Sequence, residues 1–223
     1  MMQTLVFDPN GDITLIMSER DYLDKESESG DDLDKEIVKK ESEPDDCLDK
    51  KIVERERRML VSSKHLMLAS SVFVSMLQGN FKEGQALRSK GFLELPLPED
   101  DPVAFTVILY IIHGRSRQVP REVNLELLTH ISILVDKYQL QEVVAVYSEN
   151  WIKQLEPEVP KGLTEDSTAW LSTFWVFGHA DLFKQTTRIL ARECDDVIDI
   201  ENLPIPTAII GMHRACILCD YYH

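Results

Sequence analysis

Between residues 19 and 57 the chain carries 16 Asp and Glu against 9 Lys and Arg, and its one aromatic there is Tyr22. A stretch so charged cannot bury enough apolar surface to offset the entropy of ordering it. The core must come from the residues on either side, with the charged middle looped out as an excursion from the fold. Inside it Leu33 to Glu41 (LDKEIVKKE) recurs after fifteen residues as Leu48 to Glu56 (LDKKIVERE), with a fainter LDKE at Leu23. Such copies are too few and too polar for a solenoid. They are expected to be solvated linker, with Leu, Ile and Val at i, i+4 and i+5 forming a narrow stripe able to turn helical against a partner.

The flanking pieces are patterned. Thr4 to Phe7 and Ile13 to Met17 are β-branched and apolar runs on either side of Asp8-Pro9-Asn10-Gly11-Asp12, so a hairpin is expected, with Pro presetting φ, Gly11 accepting φ > 0 and Asp12 at the mouth of the second strand. After the charged segment comes the densest readable stretch, Val61 to Gly84. Ser62 and Ser63 suit a helix cap, and Leu66, Leu68, Val72, Phe73, Met76 and Leu77 contain three i, i+4 pairs, which predicts a buried helical hairpin or bent helix. Gln78-Gly79-Asn80 is a Gly stop, and Phe81-Lys82-Glu83-Gly84 then reads as a polar exit loop bearing one stranded aromatic. Phe81 is either a lid on the core or a contact offered to a partner.

Further along, Phe92 to Leu97 alternates as a short strand that Pro96 ends or holds at a sheet edge. Glu99-Asp100-Asp101-Pro102 predicts a helix start, because carboxylates suit the positive helix end and Pro suits the first turn. The helix runs from Val103 to His113 and stops at Gly114. Two more come after it, from Leu125 to about Gln139 and from Leu140 to Leu155. Glu156 to Gly162 reads as a linker. Thr164 to Phe177 and Ala180 to Cys194 are expected to form a helical pair, and Thr207 to Tyr222 a last helix. The domain organisation expected is residues 1–155, interrupted by the acidic insert 19–57, then a helical extension over 156–223.

Several function classes are excluded on composition. A formal net charge of −15 disfavours duplex nucleic acid, whose binders carry clustered Lys and Arg. At 223 residues and 43% apolar content the chain sustains a core without staples. Cys47, Cys194, Cys216 and Cys219 lack framework spacing, and MMQTLVFD lacks a basic flank with an apolar run behind it, which points to a reducing compartment, cytoplasm or nucleus. No apolar run approaches about 18 residues, so no membrane span is expected. His213, Cys216 and Cys219, with His223 at the end, follow one another at three-residue intervals up to Cys219, a spacing that fans ligands around a helix, so no metal site is expected. His113 and His130 are read as core or capping residues. No Gly-x-Ser-x-Gly elbow, Gly-rich phosphate loop or announced carboxylate pair is present, so neither a catalytic residue nor a cofactor site is expected.

Taken together, FDPNGDITLIM, VSSKHLMLASSVFVSML, FKEG, LPLPEDDPVAFTVILYIIHGR and LVDKYQLQEVVAVYSENWI resemble the BTB/POZ domain, and among its members the single-domain type common in filamentous fungi. A weaker similarity extends into WLSTFWVFGHADLF. The resemblance implies an α+β fold with a small mixed sheet and helical hairpins, no enzyme activity, no cofactor and a role in protein assembly. Members that recruit cullin-type ubiquitin ligases carry a hydrophobic-x-Glu pattern after the helical hairpin, where Phe81-Lys82-Glu83 stands here. Phe81 and Glu83 are the partner-binding residues so implied, and the helices from Thr164 to Cys194 match a post-domain pair that extends the contact. The function implied is that of a substrate adaptor for a cullin-RING ubiquitin ligase. The alternative is a self-associating scaffold or transcription-associated oligomerisation domain that pairs with a second BTB domain. The N-terminus begins almost at the first strand, without the helix that domain-swaps in obligate dimers, which leaves homodimerisation open but in doubt.

Overall fold

The computed structural model describes residues 4–23, 51–193 and 203–205, and the side chains within those spans except for 19–23 and 51–54. The fold is α+β, with a sheet of four strands and eight α-helices among the described residues. In β2 (Ile13–Leu23), after the short β1 (Thr4–Val6), Ile13, Leu15 and Met17 are buried at alternate positions, the period of two that commits one strand face to the core. β3 (Lys51–Val61) pairs antiparallel with β2 along the full length of both, from Ile13 opposite Val61 to Leu23 opposite Lys51. The sheet order is β1-β3-β2-β4, and both outer strands run parallel to their neighbours.

Two expectations are corrected here. β1 and β2 do not form a hairpin: β1 lies beside β3, with Thr4 opposite Arg58. An eleven-residue ladder between β2 and β3 outcompetes a three-residue strand for that edge of β2. The turn between β1 and β2 instead arcs over the end of β3, where the Asp12 N–H donates to the Val61 carbonyl at 3.1 Å. Gly11 is needed for this approach and not for a positive φ, since a Cβ there would sit 2.6 Å from the Val61 oxygen. Second, the looped-out excursion expected over residues 19–57 does not hold at either end. The backbone at 19–23 and 51–57 belongs to the β2–β3 ladder, because ladder hydrogen bonds do not require apolar side chains. The register sets Glu19 opposite Arg55 and Arg20 opposite Glu54, residue types of opposite charge. The end of the second repeat, with Ile52 and Val53, is therefore strand and not helix. The first repeat copy and the helix expected over 207–222 lie outside the described residues.

α1 (Ser63–Ala69) and α2 (Ser71–Gln78) are separate helices, broken at Ser70, whose backbone is extended. The break changes the helical phase, so Leu68, expected to pack with Val72, is 88% exposed. Asp12, rather than Ser62, caps α1: its carboxylate accepts from the Ser63 N–H at 2.7 Å and from the Ser63 hydroxyl at 2.6 Å. Ser70 caps α2 by accepting from the Phe73 N–H, and donates its own hydroxyl to the Tyr138 carbonyl at 2.6 Å. The next helix, α3 (Lys82–Lys90), leads to β4 (Leu93–Pro96), a sheet edge, where Pro96 was expected. α4 (Pro102–Ile112) starts where the acidic run implied, with the Asp101 side chain accepting from the Ala104 N–H at 2.6 Å. α5 (Leu125–Tyr138) and α6 (Gln141–Leu155) come next, and Trp151 of α6 donates to the Pro120 carbonyl at 3.0 Å. A short 3-10 turn leads to α7 (Ser167–Val176), which packs on α5, and α8 (Ala180–Glu193) packs on α7. Trp170, Phe174 and Val176 of α7 share one core with the sheet, while Leu171 and Leu190 cover Ile205.

Two polar devices tie the layers. Asp100 is buried, and its two carboxylate oxygens accept from Tyr138 Oη at 2.5 Å and Lys137 Nζ at 2.6 Å. The Tyr138 ring stacks on Phe73 of α2 at 4.7 Å and meets Phe105 of α4 edge-on at 5.5 Å. Burial, and then the bond to Asp100, push the Tyr138 hydroxyl far above the ordinary phenol range. His113, after the last turn of α4, bonds through both ring nitrogens. The Leu109 carbonyl at 3.0 Å requires a proton on Nδ1, and the Ser62 N–H at 3.3 Å requires a lone pair on Nε2. That set of partners selects the neutral ring. Burial lowers its pKa, the Leu109 bond opposes the change, and the His65 ring stacked at 4.9 Å adds to it.

These groups give the stability profile two limbs. Tyr138 holds its proton more firmly folded than unfolded, so stability is present below about pH 10 and falls as pH rises beyond it. His113 resists protonation when folded, so stability is present above about pH 6.5 and falls as pH drops below it. Denaturant titrations from pH 5 to 11 are expected to show both limbs. Tyr138→Phe is expected to lose about 1 to 3 kcal/mol at pH 8, by leaving a buried acceptor short of its donor, and to flatten the alkaline limb. His113→Leu is expected to flatten the acid limb.

Candidate partner-binding corner

The residues singled out as partner-binding sit where α2 turns into α3. Lys82 to Lys90 is helical because it is built of good helix formers, with Glu83 in the first turn, Arg88 and Lys90 in the last, and Gly91 ending it at φ +70°. The expected exit loop is therefore the start of a helix, and Phe81 is its N-cap residue. Sequence patterning missed this because α3 has only a narrow apolar stripe, Ala86 and Leu87, both partly buried.

Phe81 is 60% exposed, which removes the core-lid alternative. Its ring lies close to Gly79, where an added Cβ would come within 3.2 Å of it. Glu83 is half-buried and carries no hydrogen bond or ion pair among the described residues. Its carboxylate is free to accept from outside.

What holds the corner still was not singled out from the sequence. Arg88 reaches back to the end of α2, donating to the Gln78 and Gly79 carbonyls at 3.2 Å each and to Leu77 at 3.5 Å. A cation there meets the negative end of the α2 dipole and satisfies carbonyls that the helix leaves open. Gln85 donates to the Asn80 carbonyl at 2.9 Å. Gly84 is buried, and a Cβ on it would stand 2.5 Å from the Leu77 oxygen and 3.0 Å from that of Gly79.

Among the described residues no group of three or more His, Cys, Asp or Glu is placed to hold a metal ion. The His213, Cys216, Cys219 and His223 set lies outside them. His130, expected as core or cap, has a half-exposed side chain whose Nδ1 lies 3.7 Å from the Asp101 carboxylate. No helix among the described residues is long and apolar enough to cross a membrane. No protein-family model matches the chain, and no curated protein matches it.

The close approach at Gly84 has a measurable consequence. Gly84→Ala, although favourable to an isolated helix, is expected to lose about 1 to 3 kcal/mol through overpacking against backbone. A lowered midpoint in thermal or denaturant unfolding checks it.

Proposed function

We propose that this chain is a BTB/POZ-like protein-interaction module that serves as a substrate adaptor for a cullin-RING ubiquitin ligase, with Phe81 and Glu83 contacting the cullin-type scaffold. The order of elements supports the family reading: a β2–β3 antiparallel pair, two short helices, α3, a strand parallel to β2, then α4 and the α5–α6 pair, around a small mixed sheet. The observation that carries the functional reading is the exposed Phe81 on a corner pinned by Arg88 and Gly84.

Contact there works by burial. An aromatic ring removed from water at the centre of an interface is the commonest kind of strong anchor. A corner already held by its own hydrogen bonds loses little conformational freedom on docking, so more of the contact energy remains as affinity. Glu83, two residues on, accepts hydrogen bonds at the rim and fixes orientation. α7 packs on α5 and α8 on α7; in this reading the pair extends the contact with the same partner.

Titration against the N-terminal domain of a cullin tests the proposal. Phe81→Ala is expected to weaken binding by about 2 kcal/mol or more, roughly thirtyfold, and Glu83→Lys to weaken it further by reversing the rim charge. Unchanged affinity in both variants, in protein with parental circular dichroism, would refute the adaptor reading. A concentration-dependent dimer in sedimentation, with no cullin binding by the parent, would establish the self-associating alternative in its place.

A further inference from the structure

In a chain with a formal net charge of −15, the outer face of α8 runs the other way. Lys184, Arg188 and Arg192 succeed one another at i, i+4 and i+8, a spacing that puts them along one side of a helix, and all three are exposed. With Lys161, from the segment before α7, they line an open concavity of about 720 Å³ whose wall includes the half-buried Ile189. Two acids also line it, Asp181 and Glu193, and Glu193 is already engaged as acceptor for the Leu163 N–H at 2.7 Å. None of the four cations forms an ion pair among the described residues. Like charges one turn apart destabilise a helix, so the stripe is a cost to the folded chain that an anionic ligand would relieve.

We propose that this face of α8 docks an Asp/Glu-rich peptide segment of a partner protein, carboxylates meeting Lys161, Lys184, Arg188 and Arg192 while an apolar side chain rests on Ile189. Charge complementarity chooses the ligand. Three cations along about two turns of α8, with Lys161 beside them, match a short acidic segment. A nucleic acid would extend its phosphates beyond them over a surface of opposite preference, where they are repelled. The apolar wall favours a peptide over a simple anion. Nothing in this assignment depends on what Phe81 contacts.

Fluorescence anisotropy with the full chain and the labelled octapeptide EELEELEE tests it, with QQLQQLQQ as control. The acidic peptide is expected to bind at 50 mM salt and to weaken as salt rises to 300 mM, the control not to bind, and Arg188→Glu with Arg192→Glu to weaken binding more than tenfold. Lys184→Ala, a milder change, is expected to weaken it measurably should the double variant fold poorly. Absence of binding, binding insensitive to salt, or affinity unchanged in the variants overturns the proposal. So does an RNA oligonucleotide of equal charge binding as tightly through the same arginines, or a dimer in sedimentation that the double variant abolishes, which would seat a second copy on this face.

Discussion

A buried carboxylate cannot be left alone, and Asp100 is the place where this fold accepts that constraint. Its oxygens take a proton donor from Tyr138 and a charge from Lys137, both at the end of α5. Removal of either partner would leave a charge or a dipole in a medium that penalises it heavily. Because Asp100 immediately precedes the N-cap of α4, the pairing locks the start of one helix to the end of another. The Tyr138 ring then presses on Phe73, and its carbonyl accepts from Ser70, so the junction of α1 and α2 is held by the same residue. Four helices are thus positioned by one side chain and its neighbours.

That arrangement bears on the corner at Phe81. Once α2 is held at its N-terminal end by Ser70 and Tyr138, its C-terminal end is determined within a short lever arm, and α3 needs only Arg88 and the close contact at Gly84 to be placed against it. An exposed aromatic on a loosely held loop would lose much of its contact energy to ordering. Here the ordering is done by the fold. At the far end of α4, His113 performs a similar service for α1, joining the Ser62 backbone to the last turn of α4 in a geometry that requires a neutral ring.

Much of this was legible because it is local. The start of α4 comes from Asp101 and Pro102 and their own backbone, and the ends of α5, with Asn124 accepting from the Leu127 N–H and Gln139 in the left-handed region, involve residues within a turn of each other. The β-branched, apolar run from Ile13 to Met17 was legible as a strand, and it lies in β2. The family resemblance led to Phe81 and Glu83, but pattern alone did not tell a helix N-cap from a loop, because the helix beyond it is mostly polar. Leu68 was misplaced for a related reason. The break at Ser70 is stabilised in part by a carbonyl 68 residues away, and periodicity within a window contains no such partner.

The chain by itself determined which residues are strand or helix formers, where Asp and Pro start helices, and that the charged segment holds no long apolar run, since each of these depends on neighbours in sequence. Only the tertiary structure decided that β3 rather than β1 lies against β2, that the β2–β3 ladder runs on into the charged residues, and that Phe81 faces out while Gly84 and Arg88 hold it there. Those outcomes turn on competition between distant groups for one edge, one carbonyl or one cavity, and such competition is settled only when the whole chain is folded.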